Sequence, residues 1–134
     1  MANLDYKAKK KTTGEWLFGV PTFDSKYIYA EDFDIDIIEN YEIEPDTISQ
    51  FTGLKDKKCT KIYHNEIFRF KKGNKDLIYL VVWIEEKACF GYKLISKSKY
   101  IYEFPFTFYD EIQEDFLNYC EVIGNKFDNS EYLN

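Results

Sequence analysis

The chain has 134 residues and a mass of 16.1 kDa, enough for one domain whose core needs no covalent staples. Hydrophobic residues make up 45% and charged residues 31%, which excludes a disordered chain, and the net charge of −6 disfavours non-specific nucleic-acid binding, whose affinity comes from neutralising phosphates. The longest apolar run, "LIYLVVWI" at 77–84, is far short of the roughly 20 residues of a membrane span, and the basic start "MANLDYKAKKKTTGEW" lacks the apolar stretch of a secretory signal.

In chain order, residues 1–12 are expected to be a flexible segment of a single domain, 1–134. "GEWLFGV" (14–20) and "KYIYA" (26–30) read as short strands joined by a turn containing Pro21. "DFDIDII" (32–38) alternates acidic and apolar residues, the pattern of a half-buried strand with an acidic solvent face. "EPDTI" (44–48) reads as one helical turn with Pro45 in its first position. "EIFRFKK" (66–72) and "LIYLVVWIEE" (77–86) are predicted strands, and the "KGNK" between them supplies Gly and Asn for a hairpin turn. "YLVVWI" is apolar on both faces, as a central strand would be. "CFGYKLI" (89–95) pairs back through a turn near 86–88, and "KYIYEFPFTF" (99–108) is another extended run. From 108 to 119 the period changes: Phe108, Ile112 and Phe116 recur every fourth position, predicting an amphipathic helix started by Thr107. "CEVIGN" (120–125) is a last strand and "NSEYL" (129–133) a capped turn. About eight short strands against one helix make the chain mainly β, and close strand spacing favours a small barrel or roll.

Charge is laid down in blocks: residues 24–50 sum to −8, 55–76 to +5 and 103–134 to −7. The basic block overlaps the one stretch that suggests a phosphate loop, "QFTGLKDKKCTKIYHNEIFRF" (50–70). A P-loop requires G-x-x-x-x-G-K-[ST] between a strand and a helix; here Gly53 stands alone and a strand comes next, so a glycine ending one strand before a lysine-rich turn is the preferred reading. Asp32, Asp34 and Asp36 match the start of a calcium loop, but Ile37 and Ile43 occupy its Gly and Glu positions. Cys59, His64 and Glu66 are too few for a closed zinc site, and nothing marks Cys59 as a nucleophile. No metal, cofactor or catalytic residue is assigned. Cys59, Cys89 and Cys120 form no C-x-x-C pair and are expected to be reduced thiols in a cytoplasmic protein. Tyr100, Tyr102, Phe104, Phe106 and Phe108 alternate, so in a strand their rings share one face, facing either the core, a protein interface or, least compatibly with the charge, stacked bases. Tyr100, Tyr102, Phe104 and Phe106 are the candidate interface. Pro105 places that strand at a sheet edge, where self-association into a homo-oligomer is expected.

Four stretches together resemble the YopX family, small proteins encoded by bacteriophages and prophages of low-GC bacteria: "GEWLFG" (14–19), "IEPDTISQFTGLKDK" (43–57), "KIYHNEIFRF" (61–70) and "YCEVIGNKFDNSEYL" (119–133). The family pattern runs through G-E-W, D-P-x-T-[IV]-x-Q-[FY]-T-G-L-x-D-K-N-G, I-[YF]-E-G-D-I-V and E-V-I-G-N-I-[YF]-x-N-P-E-L. The resemblance implies an SH3-like barrel or roll, with no catalytic residues to carry over. It transfers a structural signature: Trp16, Gln50, Thr52, Gly53, Leu54, Asp56, Lys57, Gly124 and Asn125. Where the family has Asn-Gly this chain has Lys58–Cys59, and where it has Glu-Gly-Asp this chain has His64–Asn65–Glu66. Asn65 tolerates the positive φ that glycine favours; Lys58–Cys59 is expected to change the turn. The functional expectation is a non-enzymatic accessory protein in the host bacterial cytoplasm that binds a protein, itself or a host target. The alternative is a nucleic-acid-associated protein using 55–76.

Overall fold

The computed structural model describes residues 5–96, 103–105 and 115–133, with backbone alone at 103–105. The chain divides into two compact units, Met1–Phe51 and Thr52–Asn134.

In the first unit, β1 (Tyr6–Lys9), β2 (Trp16–Pro21), β3 (Ile28–Ala30) and the start of β4 (Ser49–Lys55) pair antiparallel in the order β3-β2-β1-β4. β1 lies inside the stretch expected to be flexible, yet it is an interior strand. Its "YKAK" hides the usual signal because only Ala8 is a small apolar core residue. Ala8 sits opposite Leu17 and packs with Ile28, Ile43 and Ile48. Lys7 faces the other way and lays its ammonium 4.3 Å from the Trp16 ring centre, a cation–π contact that lets lysine occupy a buried position. Gly19 is obligatory where β2 meets β3, since a Cβ there would run into the Tyr29 carbonyl.

The acidic alternation at 32–38 forms no strand. Asp34 caps a 3-10 run, Ile35–Tyr41, its side chain accepting from the Asp36 N–H at 3.0 Å. An Asp that bonds its own local backbone competes with a sheet ladder. Ile35 and Ile37 are therefore left exposed, and Tyr41 alone in this run is buried. Pro45–Thr47 forms the expected turn with Pro45 at its start.

In the second unit, β5 (Lys61–Tyr63) comes after the end of β4. The remaining strands are β6 (Glu66–Lys72), β7 (Lys75–Ile84), β8 (Cys89–Leu94), β9 (Glu103–Pro105) and β10 (Cys120–Asn125). They form an antiparallel sheet in the order β10-β6-β7-β8-β9. The β6–β7 hairpin closes with Lys72 opposite Lys75 and Gly73 at φ 59°, as the "KGNK" reading expects. The core is Ile62, Phe68, Tyr79, Val81 and Cys120. Phe68 has no exposed surface, and its ring lies 5.4 Å from Tyr79 and 6.0 Å from both Tyr92 and Phe116. Truncating such a ring costs about 3–5 kcal/mol.

Pairing in this second sheet stops at β9 on one side and β10 on the other, and no described ladder joins them. The expected SH3-like barrel or roll is thus corrected to open antiparallel sheets, because closure requires the terminal strands to pair. Of the predicted helix 108–119, residues 108–114 lie outside the described residues; 115–117 are helical, and Phe116 and Leu117 pack on the core. Of the extended run 99–108, β9 alone is described, an edge strand as Pro105 requires.

β10 covers one side of β6, with Val122 opposite Phe68 and Cys120 opposite Phe70. Deleting residues 120–134 should therefore uncover this core and give an aggregating product by size-exclusion chromatography. A soluble truncation that melts cooperatively would show the tail to be an appendage.

Candidate functional site

Four of the signature residues, Thr52, Leu54, Asp56 and Lys57, gather at a corner of the second unit. Asp56 comes directly after β4 and is 6% exposed. Its Oδ1 accepts from the backbone N–H groups of Lys58 and Thr60, each at 2.9 Å, and its Oδ2 accepts from the N–H of Val122 at 2.9 Å. Main-chain bonds reinforce it: Asp56 N–H to Thr60 O at 2.9 Å, Cys59 N–H to Asp56 O at 3.0 Å, and Lys57 N–H to Cys120 O at 3.0 Å. Thr52 Oγ1 donates to Ile62 O at 2.7 Å and accepts from the Leu54 N–H. Lys58 bonds Glu121 at 2.8 Å and holds that carboxyl below its ordinary range, with Lys57 at 3.8 Å beside it. The donors a phosphate would need are taken by a carboxylate that would also repel it. The opening of the basic block is thus a locked corner.

Two details refine the sequence reading. Gly53 does not end β4; it sits within the strand at φ 91°. Asn65 has φ 72°, the left-handed backbone expected of it, and Cys59, where the turn was expected to change, is left-handed as well at φ 63°. At the far end of β10, Asn125 Oδ1 accepts from Phe127 and Asp128 N–H groups, while Asn129 Oδ1 accepts from the Asn125 N–H at 3.1 Å. A Cβ on Gly124 would collide with the Asn129 side chain, which explains glycine there. Trp16 lies in β2 under Lys7 and Lys9, and Gln50 in β4 opposite Tyr6.

The Cys–His–Glu grouping does not assemble. Glu66 is buried and accepts from the Tyr63 N–H at 2.6 Å. His64 lies 5.6 Å from the Phe90 ring, its pKa lowered by burial and then by Lys126. Cys59 is exposed in its turn. Cys120 is buried, and burial pushes its thiol up to about 12, so it is inert at neutral pH. Among the described residues no group of three or more His, Cys, Asp or Glu is arranged to hold a metal. Tyr100, Tyr102 and Phe106 lie outside the described residues; Phe104 falls in β9.

The first unit carries a surface that the sequence pattern concealed. On the side of β2 and β3 away from the core, Phe18 and Tyr29 are each 53% exposed. An open groove is lined by Trp16, Leu17, Phe18, Ala30, Glu31 and Asp32. Tyr29 meets Phe33 edge-on at 4.9 Å, and Phe33 meets Tyr41 at 4.9 Å. The Tyr41 hydroxyl donates to Asp32 O at 2.6 Å; burial raises its pKa, and the Asp32 and Asp34 carboxylates raise it further. Just beyond along the chain, Ile35 is 65% and Ile37 40% exposed. The available signal was "DFDIDII", whose alternating apolar residues suggest a strand.

The family model described as YopX protein matches residues 5–134. The chain belongs to the YopX family. No curated relative matches it. The YopX match spans both the Asp56 corner and the aromatic face of the first unit.

Asp56→Ala should destabilise by about 1.5–3 kcal/mol in urea melts, since three part-buried N–H donors lose their charged acceptor. Asp56→Asn should also lose stability, because its NH₂ must face at least one of those donors. Cys59→Gly should be neutral or stabilising by up to about 1 kcal/mol, the left-handed backbone favouring glycine. A clear loss on Cys59→Gly would contradict the turn geometry.

Proposed function

We propose that this YopX-family protein is a non-enzymatic accessory protein, phage- or prophage-encoded, that works in the host bacterial cytoplasm by binding a protein, either a host protein or a second copy of itself. The reading assigns it no catalytic residue, cofactor or metal. The observation that carries it is the aromatic face of the first unit. Isolated exposed apolar residues are ordinary on a protein surface. Here Phe18 lines an open groove, Tyr29 continues into the Phe33–Tyr41 ring series, and two exposed isoleucines lie next along the chain. Aromatic side chains of this kind are enriched where proteins meet proteins.

The nucleic-acid alternative draws less support from the basic block. Lys57 and Lys58 pair with Glu121, Arg69 with Asp76 and Lys72 with Asp115. Four of the eight bases at 55–76 are thus already answered by carboxylates of their own unit, which weakens the phosphate attraction such binding depends on.

A photo-crosslinking amino acid placed at position 18 and expressed in the bacterial host should give a discrete covalent adduct, identified by mass spectrometry as one protein. The same probe at Lys71, on β6 of the other unit, should not give that adduct. Absence of any adduct at position 18 would overturn the reading.

A further inference from the structure

We propose that the aromatic face of the first unit receives a lysine- and arginine-rich segment of a different protein, one that also carries apolar anchors; this rests on the protein-binding reading above. Two chemistries meet at the groove. Phe18 offers an exposed ring, and Glu31 and Asp32 line the same groove. An arginine or lysine stem lies well on an aromatic ring while its head reaches a neighbouring carboxylate. Beyond the groove, Asp36 and Glu39 lie in the run that exposes Ile35 and Ile37.

Among the described residues, Glu31, Asp32, Asp36 and Glu39 make no ion pair with a lysine or arginine, whereas Glu42 nearby in sequence is held by Lys11 at 3.4 Å. The block 24–50 carries −8 with a single lysine, so its field attracts cations from beyond contact range. An apolar groove with an acidic lining excludes an acidic or neutral apolar partner, which would bury carboxylates without compensation.

The charge pattern also separates a foreign partner from a second copy. The chain's own positive stretches are the block 55–76 and the lysines at 7–11. Half of the block is tied to Glu121, Asp76 and Asp115. Of the lysines, Lys7 and Lys9 lie over Trp16, and Lys10 and Lys11 pair with Glu15 and Glu42. Engaging the acidic face in trans through these residues would require breaking such contacts first. A foreign basic segment brings cations that are not held by these contacts, and it meets Lys7 and Lys9 only at Trp16.

The test uses the full chain and three synthetic peptides of equal length, titrated by fluorescence anisotropy. One is rich in Arg and Lys with Leu and Trp anchors; one replaces the anchors by Ser; one replaces the bases by Glu. The anchored basic peptide should bind saturably, and raising salt from about 50 mM to about 500 mM should weaken it at least tenfold. Phe18→Ser and the double variant Glu31→Lys, Asp36→Lys should each weaken it by about tenfold or more while retaining the wild-type thermal melt. The Ser peptide should bind more weakly, and the Glu peptide not at all. No binding of the anchored peptide, equal binding of the Ser peptide, or undiminished binding by melt-competent variants would overturn the proposal. So would a position-18 crosslink to a second copy of the chain, an outcome that leaves the protein-binding reading intact. If Phe18→Ser melts early, Phe18→Tyr decides: retained binding supports the ring contact, and loss of binding with a normal melt counts against it.

Discussion

One carboxylate organises the second unit. Asp56 is buried, and a buried charge is costly unless it is paired or fully hydrogen-bonded. Three backbone N–H groups meet that requirement, two from its own turn and one from β10, 66 residues further on. The two nearby donors fix the path from β4 to β5. The distant one sets where β10 begins its run along β6. Once Val122 is placed, Cys120 and Val122 turn into the core, and Glu121 turns outward to Lys57 and Lys58. The lysines sit where the turn presents them, so the same hydrogen bonds that solve the desolvation problem also position the surface ion pairs. These pairs are exposed and worth little by themselves; they result from the corner and do not create it.

The corner also explains why β10 carries its own irregularity. The pairing of β10 with β6 shifts register between Val122 and Gly124. A shift of this kind bends a strand and re-aims the residues after it. The first of these is Asn125, whose side-chain amide holds the next turn through Phe127 and Asp128, while Asn129 returns to the Asn125 N–H. Glycine at 124 leaves room for that return. Asp56 therefore anchors the start of β10 and the asparagine pair anchors its end, with the bulge between absorbing the mismatch.

Much of this was legible in the residues. β6 and β10 fall on the stretches read as strands, and the hairpin glycine is where "KGNK" placed it, because each carries both its periodicity and its turn chemistry locally. Two stretches misled for opposite reasons. "YKAK" looks like a polar tail, but one buried alanine and a lysine lying on Trp16 suffice for an interior strand. "DFDIDII" has the alternation of a strand, but Asp34 bonds the Asp36 N–H and the backbone turns away. Alternation records which side chains could share a face; it does not record whether a neighbouring strand exists to receive them. The barrel expectation fails similarly, since strand count and spacing are silent on whether the last strand meets the first. The Asp56 contacts to its own turn are short-range and consistent with a signature motif, whereas its bond to Val122 could be found only in three dimensions.

The division of labour between signature and surface bears on where function can reside. Thr52, Asp56, Gly124 and Asn125 direct their polar groups or their lack of a side chain inward, and the contacts they make are internal. A corner whose donors and acceptors are mutually satisfied has little to offer a ligand. These four residues are thus little available for recognition by a partner, whereas Trp16 of the same signature lines the groove of the first unit. Function must draw on groups whose interactions the fold leaves incomplete. In the first unit, rings with exposed surface lie beside carboxylates that make no ion pair among the described residues, and both line one groove. Cys59 and Asn65 both hold left-handed backbone without glycine. Surface residues such as Phe18, Ile35 and Asp36 lie in the first unit, so substitution there can leave the corner intact.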